Sequence, residues 1–95
     1  MTTLENGSMD TLAFKTPQDE TGNRKLRKEY TKRLSARLKA VRKEKDMTQQ
    51  ELSSKAGLHL TYLGHLELGK YHPTVFVMWK IARALGISMN ELTEI

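Results

Sequence analysis

The sequence of 95 residues contains no cysteine. That absence removes both a disulfide framework and a thiolate metal site as ways of holding the chain together. It also argues against a secreted mini-protein and for a reducing compartment. No apolar run approaches the roughly 20 residues needed to cross a bilayer, and the first ten residues, MTTLENGSMD, lack the basic then apolar layout of a signal peptide. The chain therefore reads as soluble and cytoplasmic. Strand-like alternation of apolar and polar residues is missing over any useful length, which leaves no sheet to expect. Three scattered histidines without a helical i, i+4 pair make a poor metal site, and there is no glycine-rich phosphate loop. No nucleophile is paired with an acid and a base either, so an enzyme is not expected. Neither a metal, a cofactor nor a small-molecule ligand is called for.

Positive charge is abundant and unevenly spread. The net formal charge is +5, with −3 over residues 1–23, +9 over residues 24–45 and −1 over residues 46–95. Such a block is a candidate phosphate-binding surface, because neutralising backbone phosphates releases condensed counterions. The plainer alternative is a solvated helix face. Residues 1–23 mix polar residues with Leu4, Met9, Leu12 and Phe14 at no sustained period and offer no core face. With the first basic residues included, residues 1–28 are expected to be a disordered or flexible arm, in which Arg24, Lys25, Arg27 and Lys28 form a possible basic segment. Residues 29–95 are expected to form one domain.

In that domain the apolar period becomes helical. Leu34, Leu38 and Val41 recur at i, i+4 and i+7, giving a first amphipathic helix from about Tyr30 to Lys45. Thr48 and Glu51 form a Thr-x-x-Glu capping box that opens a second helix, which Gly57 stops. A third begins near His59 or Leu60, buries Leu63 and Leu66, and ends at Gly69. Thr74 caps a fourth with the apolar stripe Val75, Met78, Ile81, Ala82 and Leu85, ended by Gly86. Ser88 and Glu91 repeat the capping box for a fifth, whose packing face is Met89, Leu92 and Ile95. The expectation is an all-α fold of five short helices. Met47, Met78 and Met89 read as core gap fillers, and Tyr62 as core or core edge.

Charge is scarce where the helical pattern is neatest. The stretch Thr48 to Gly69, TQQELSSKAGLHLTYLGHLELG, holds two helix starts, two glycine stops and a single lysine. Two short helices joined by a glycine-containing turn suit a helix that enters the DNA major groove, where bases are read by hydrogen bonds and methyl contacts while charges belong on flanking phosphates.

The series Thr48-Gln49-Gln50-Glu51-Leu52, Ala56-Gly57-Leu58, Tyr62-Leu63, Leu66-Glu67-Leu68-Gly69-Lys70, Pro73-Thr74 and Ile81 to Ser88 resembles the lambda-repressor-like helix-turn-helix family. That family includes phage repressors, Cro-like proteins and restriction-modification controller proteins. The resemblance covers about residues 31–95. It implies a five-helix DNA-binding domain, a transcriptional regulator of repressor or controller type, double-stranded DNA with a pseudo-palindromic operator as partner, and a prokaryotic, nucleoid-associated location. By position it also implies that Gln49 bonds a phosphate and that Leu60, Thr61, Gly64 and His65 lie on the base-reading face. Two of these depart from the commoner pattern: Leu60 is open to thymine methyl contact or to packing, and Gly64 offers closeness without side-chain readout. Lys70, Tyr71 and His72 match phosphate-positioning residues, and Arg42 and Glu67 match a structural ion pair.

A recognition helix this short reads few base pairs, so a two-fold homodimer is expected. Val77, Trp79, Leu92 and Ile95 are the apolar residues expected at its interface, although Trp79 also suits partial burial. A protein-binding adaptor on the same fold, such as an antitoxin or a bridging coactivator, is the rival reading. Steep salt dependence of binding would favour DNA.

Overall fold

A computed structural model describes residues 20–95, so most of the expected arm, residues 1–19, lies outside the described residues. The described residues form five α-helices and no strand: α1 Glu20–Glu44, α2 Gln49–Ala56, α3 Leu60–Glu67, α4 Val75–Leu85 and α5 Met89–Leu92. The fold is thus all-α, and α1 is by far the longest element, with 25 residues. It starts ten residues before the Tyr30 boundary that the apolar period suggests, so residues 20–28 are helical. Propensity accounts for the difference from Arg24 onward. From Arg24 to Glu44 the chain is free of glycine and proline and rich in Arg, Lys, Leu, Ala and Glu, which hold helix without needing a buried face. Residues 24–30 are indeed all exposed.

The first four helices end in the same way. Their carbonyls are closed by a paired set of hydrogen bonds around a residue of positive φ: Asp46, Gly57, Gly69 and Gly86. After α3, for example, Gly69 N–H donates to Leu66 O at 3.1 Å and Lys70 N–H to His65 O at 2.9 Å. Asp46, with φ 55°, is the one non-glycine of the four, and a short polar side chain tolerates that conformation best. Starts are equally well marked. Both capping boxes form, Thr48 with Glu51 and Ser88 with Glu91, and the Thr74 hydroxyl accepts from the Val77 N–H. These stops and caps turn the chain sharply enough for short helices to wrap one core.

Each helix supplies that core: Leu34, Leu38 and Val41 from α1, Leu52 and Ala56 from α2, Leu63 and Leu66 from α3, Met78, Ile81, Ala82 and Leu85 from α4, and Leu92 from α5. Met47, Met89 and Tyr62 pack at its edge. Four assignments need correction. Val75 lies on the same face as Met78 but is 75% exposed, because the core ends one turn short of the start of α4. Leu92, expected both in the packing face of the fifth helix and at a subunit interface, is 1% exposed and belongs to the core alone. Val77, expected at the interface, packs against the core, and Ile95, expected in the packing face of the fifth helix, is exposed, as is Trp79. No helix among the described residues is long and apolar enough to cross a membrane.

Candidate nucleic-acid interface

The α2–α3 unit is built from its caps inward. The Thr48 box fixes the entry to α2, whose first residue is Gln49. Gly57 then reverses the chain, and half-buried Leu58 anchors the turn against the core. His59 starts α3: its Nδ1 accepts from the Thr61 N–H at 3.3 Å. With Leu63, Leu66 and Glu67 turned inward, Thr61 and His65 fall on the opposite face of α3, with Gly64 beside them toward Gln49 and Leu60 exposed at the first turn. Leu60 is 44% exposed, so it is a surface residue and not a packing one. Thr61 is exposed as well, and Gly64 and His65 are half-buried. This face carries hydroxyl, imidazole, backbone and methyl groups, and no formal charge.

Its orientation is set by a polar cluster at the junction of α1, α2 and α3. Arg42 on α1 holds Glu67 on α3 bidentately, Nε to Oε2 at 2.6 Å and Nη2 to Oε1 at 3.0 Å, and Arg42 Nη1 donates to Met47 O at 2.8 Å. The two side chains are only 10% and 3% exposed. The hydrogen bond to Glu67 is the main reason that the Arg42 guanidinium lies above its ordinary pKa; burial pulls the other way, and the Glu67 charge adds to the rise. Gln49 completes the cluster, its Nε2 donating to Glu67 Oε1 at 2.9 Å. Gly64 matters here, since a Cβ at that position would stand 3.9 Å from Gln49 Oε1. Gln49, at the N-terminus of α2, is therefore laid directly against α3. One of its two amide hydrogens is engaged by Glu67, which leaves a second donor beside the positive end of the helix dipole.

The segment after α3 continues this surface. Tyr71 stacks on Tyr62 with ring centroids 5.9 Å apart and takes the edge of His65 at 5.3 Å, so one exposed ring braces two side chains of α3. His72 Nδ1 lies 2.8 Å from Thr31 Oγ1, whose hydroxyl also reaches Arg27 O at 2.8 Å. The hydroxyl has one hydrogen, so if Thr31 donates to Arg27 O, His72 donates to Thr31. Lys70, Tyr71 and His72 are all exposed.

The basic block, seen in sequence as one run, is sorted by the helix into separate tasks. Arg33 donates to Ile95 O, and Arg37 donates through both Nε and Nη2 to Glu91 O, so these two hold the C-terminal helix. Arg42 is buried with Glu67. Arg24, Arg27, Lys28, Lys32 and Lys39 fall on one stripe that lines a groove between α1 and the end of α3, bounded by Leu68, Gly69 and His72. Lys25 is not part of that lining. Lys32 and Lys39 are legible as members of the stripe from their i+4 and i+11 spacing to Lys28, but counting charge by segment hides faces. Sequence reasoning also misses Leu68, 72% exposed, and Phe76, 63% exposed and stacked on Trp79. Lys80 and Arg83 cover those two rings, at 5.1 and 5.2 Å from the ring centroids.

Comparison with known proteins agrees with this architecture. The helix-turn-helix family profile matches residues 38–92. The chain is 42% identical over 52 residues to the HTH-type transcriptional regulator y4dJ of Sinorhizobium fredii, covering 55% of this chain and 68% of that one. It is 39% identical over 56 residues to the immunity repressor protein of Bacillus phage phi105, 59% of this chain but only 39% of the repressor. Among solved structures, the restriction-modification controller protein C.AhdI from Aeromonas hydrophila superposes with a TM-score of 0.64 at 31% identity, over 65% of this chain and 94% of the controller.

Proposed function

Because the chain belongs to the helix-turn-helix family of DNA-binding transcriptional regulators, we propose that it binds a specific operator in the major groove as a cytoplasmic homodimer of repressor or controller type. The observation that supports this is the uncharged, partly exposed face of α3, with the Gln49 amide laid against Gly64 on one side and the Tyr71 ring against His65 on the other. On this reading Thr61 donates to or accepts from a base edge or touches a thymine methyl, His65 pairs with a guanine acceptor, and Leu60 covers thymine methyls. Gly64 lets the α3 backbone come close to the bases. Gln49 gives its second amide hydrogen to a phosphate at the α2 N-terminus, and Lys70, Tyr71 and His72 hold the next phosphates. Arg42 and Glu67 touch no DNA; they keep α3 at its angle to α1.

At eight residues, α3 is about 12 Å long and spans three to four base pairs, too few for useful discrimination in a genome. Two copies related by a two-fold axis place two such helices about 34 Å apart. The exposed rings of Phe76 and Trp79, with Val75 beside them, are the surface assigned to a protein contact. Selection of bound sequences from random duplexes at one fixed salt concentration tests the reading. A two-fold symmetric consensus with half-sites about ten base pairs apart is expected. If no sequence is enriched, the reading is wrong, and the adaptor role, which needs no steep salt dependence, takes its place.

A further inference from the structure

The cations on the groove-facing side of α1 have no task in reading bases, yet they are ordered with respect to α3. We propose that this stripe is a rail for the DNA sugar-phosphate backbone beyond the bases that α3 reads, an inference that rests on the DNA-binding role proposed above.

Three observations point to a polyanion. First, Arg27, Lys28, Lys32 and Lys39 repeat at helical spacing along one face, from mid-helix toward its N-terminal end, and all are exposed. Second, the formal charges lining the groove are all positive but one. The one carboxylate among the described residues lining it, Glu67, is already taken by Arg42 and Gln49. Third, between the cations the α1 wall is made of small side chains, Thr31, Ser35 and Ala36, which leave room for a backbone to lie along the helix. The groove opens at Gly69 and His72, on the loop assigned to phosphate positioning, and His72 is tied to α1 through Thr31, so the rail and that loop form one surface. From Arg27 to Lys39 the rail is about 18 Å long, which corresponds to about five base pairs. An extended helical α1 makes this possible, because a flexible arm would not hold the cations in register.

The test compares two variants of the full chain that remove equal charge: R27Q/K28Q/K32Q in the groove, and K25Q/K43Q/K45Q on other faces. Glutamine keeps helix propensity high. Affinity for the selected operator is measured from 50 to 200 mM salt. The groove variant is expected to lower the slope of log affinity against log salt by two to three, about 0.9 for each phosphate that is no longer neutralised. At 50 mM its affinity loss is then about 40-fold larger than at 200 mM. The other variant should change the slope by less than about one. The ratio of affinities for operator and scrambled DNA should be unchanged in both. Ethylation interference should disappear, in the groove variant alone, at a run of phosphates outside the selected bases. Equal slope changes in the two variants would mean diffuse charge and overturn the rail. An unchanged slope in the groove variant would overturn it too and leave the groove to an acidic protein partner. If the wild type prefers no sequence while the groove variant still loses slope, the rail stands and base reading by α3 fails.

Discussion

Replacing Glu67 with alanine should destabilise the domain more than any surface charge change, and the structure sets the magnitude. The substitution removes the acceptor of two Arg42 hydrogen bonds, at 2.6 and 3.0 Å, and of one from Gln49 at 2.9 Å. Arg42 would keep only its bond to Met47 O, with a guanidinium 10% exposed and its counter-charge gone. Stranding one member of a buried pair costs about 3–5 kcal/mol. Total stability for a domain of this size is typically about 5–15 kcal/mol, so E67A should forfeit at least about a fifth of it. The Glu29–Arg33 pair is an internal control, with a similar 2.9 Å contact but side chains 59% and 57% exposed. E29A should cost less than about 1 kcal/mol. Urea unfolding followed by far-UV circular dichroism measures both. Replacing the pair together, R42M/E67L, should recover most of the loss, since well-packed apolar residues substitute for a buried ion pair at little cost. If E67A cost no more than E29A, the junction of α1, α2 and α3 would not be held as described.

Two further outcomes follow from local geometry. G64A should stabilise the fold by about 0.5–1 kcal/mol in urea unfolding, because alanine is the better helix former and its Cβ would stand at an ordinary 3.9 Å from Gln49. The same methyl should weaken operator affinity, since it lies on the reading face, and a G64A protein that is less stable would show that the α2–α3 contact is tighter than this. The Glu91 carboxyl is held below the ordinary glutamate range, chiefly by the Ser88 backbone N–H. A carboxylate with a depressed folded pKa contributes stability that is present above its unfolded value, near 4.3, and is lost as pH falls through the lower folded value. A carbon-detected NMR titration should place its midpoint below that of an unstructured glutamate; a midpoint at or above it contradicts the capping-box assignment for α5.

The helices are legible in the sequence because caps, stops and apolar period agree at each of them: Thr48 with Glu51, Gly57, Thr74, Gly86, and Ser88 with Glu91 each mark an observed boundary. The start of α1 is not, since the period that reveals a helix exists only where one face is buried, and residues 24–30 bury none. Val75 and Ile95 are misplaced by pattern for a related reason. Spacing names a face but not where the core ends, so an apolar residue at the start of a helix or just past the last one can overhang it. On α3 the spacing is more informative, because Leu63 and Leu66 fix the inward face and leave Thr61 on the outward one. What spacing does not supply is partnership: that Gln49 reaches across to Glu67, that Tyr71 braces Tyr62 and His65, and that Arg33 and Arg37 are occupied by carbonyls of the C-terminal end.

The central claim is that the uncharged face of α3 distinguishes base sequence. Its most direct test is the ratio of affinities for the selected operator and a scrambled duplex, measured at one salt concentration for the wild type and for T61A/H65A. The double variant should keep its helical content and its non-specific affinity while the ratio falls by at least about fivefold, as the removal of one good base contact, worth about 1–3 kcal/mol, requires. A folded T61A/H65A protein with the wild-type ratio would contradict the account.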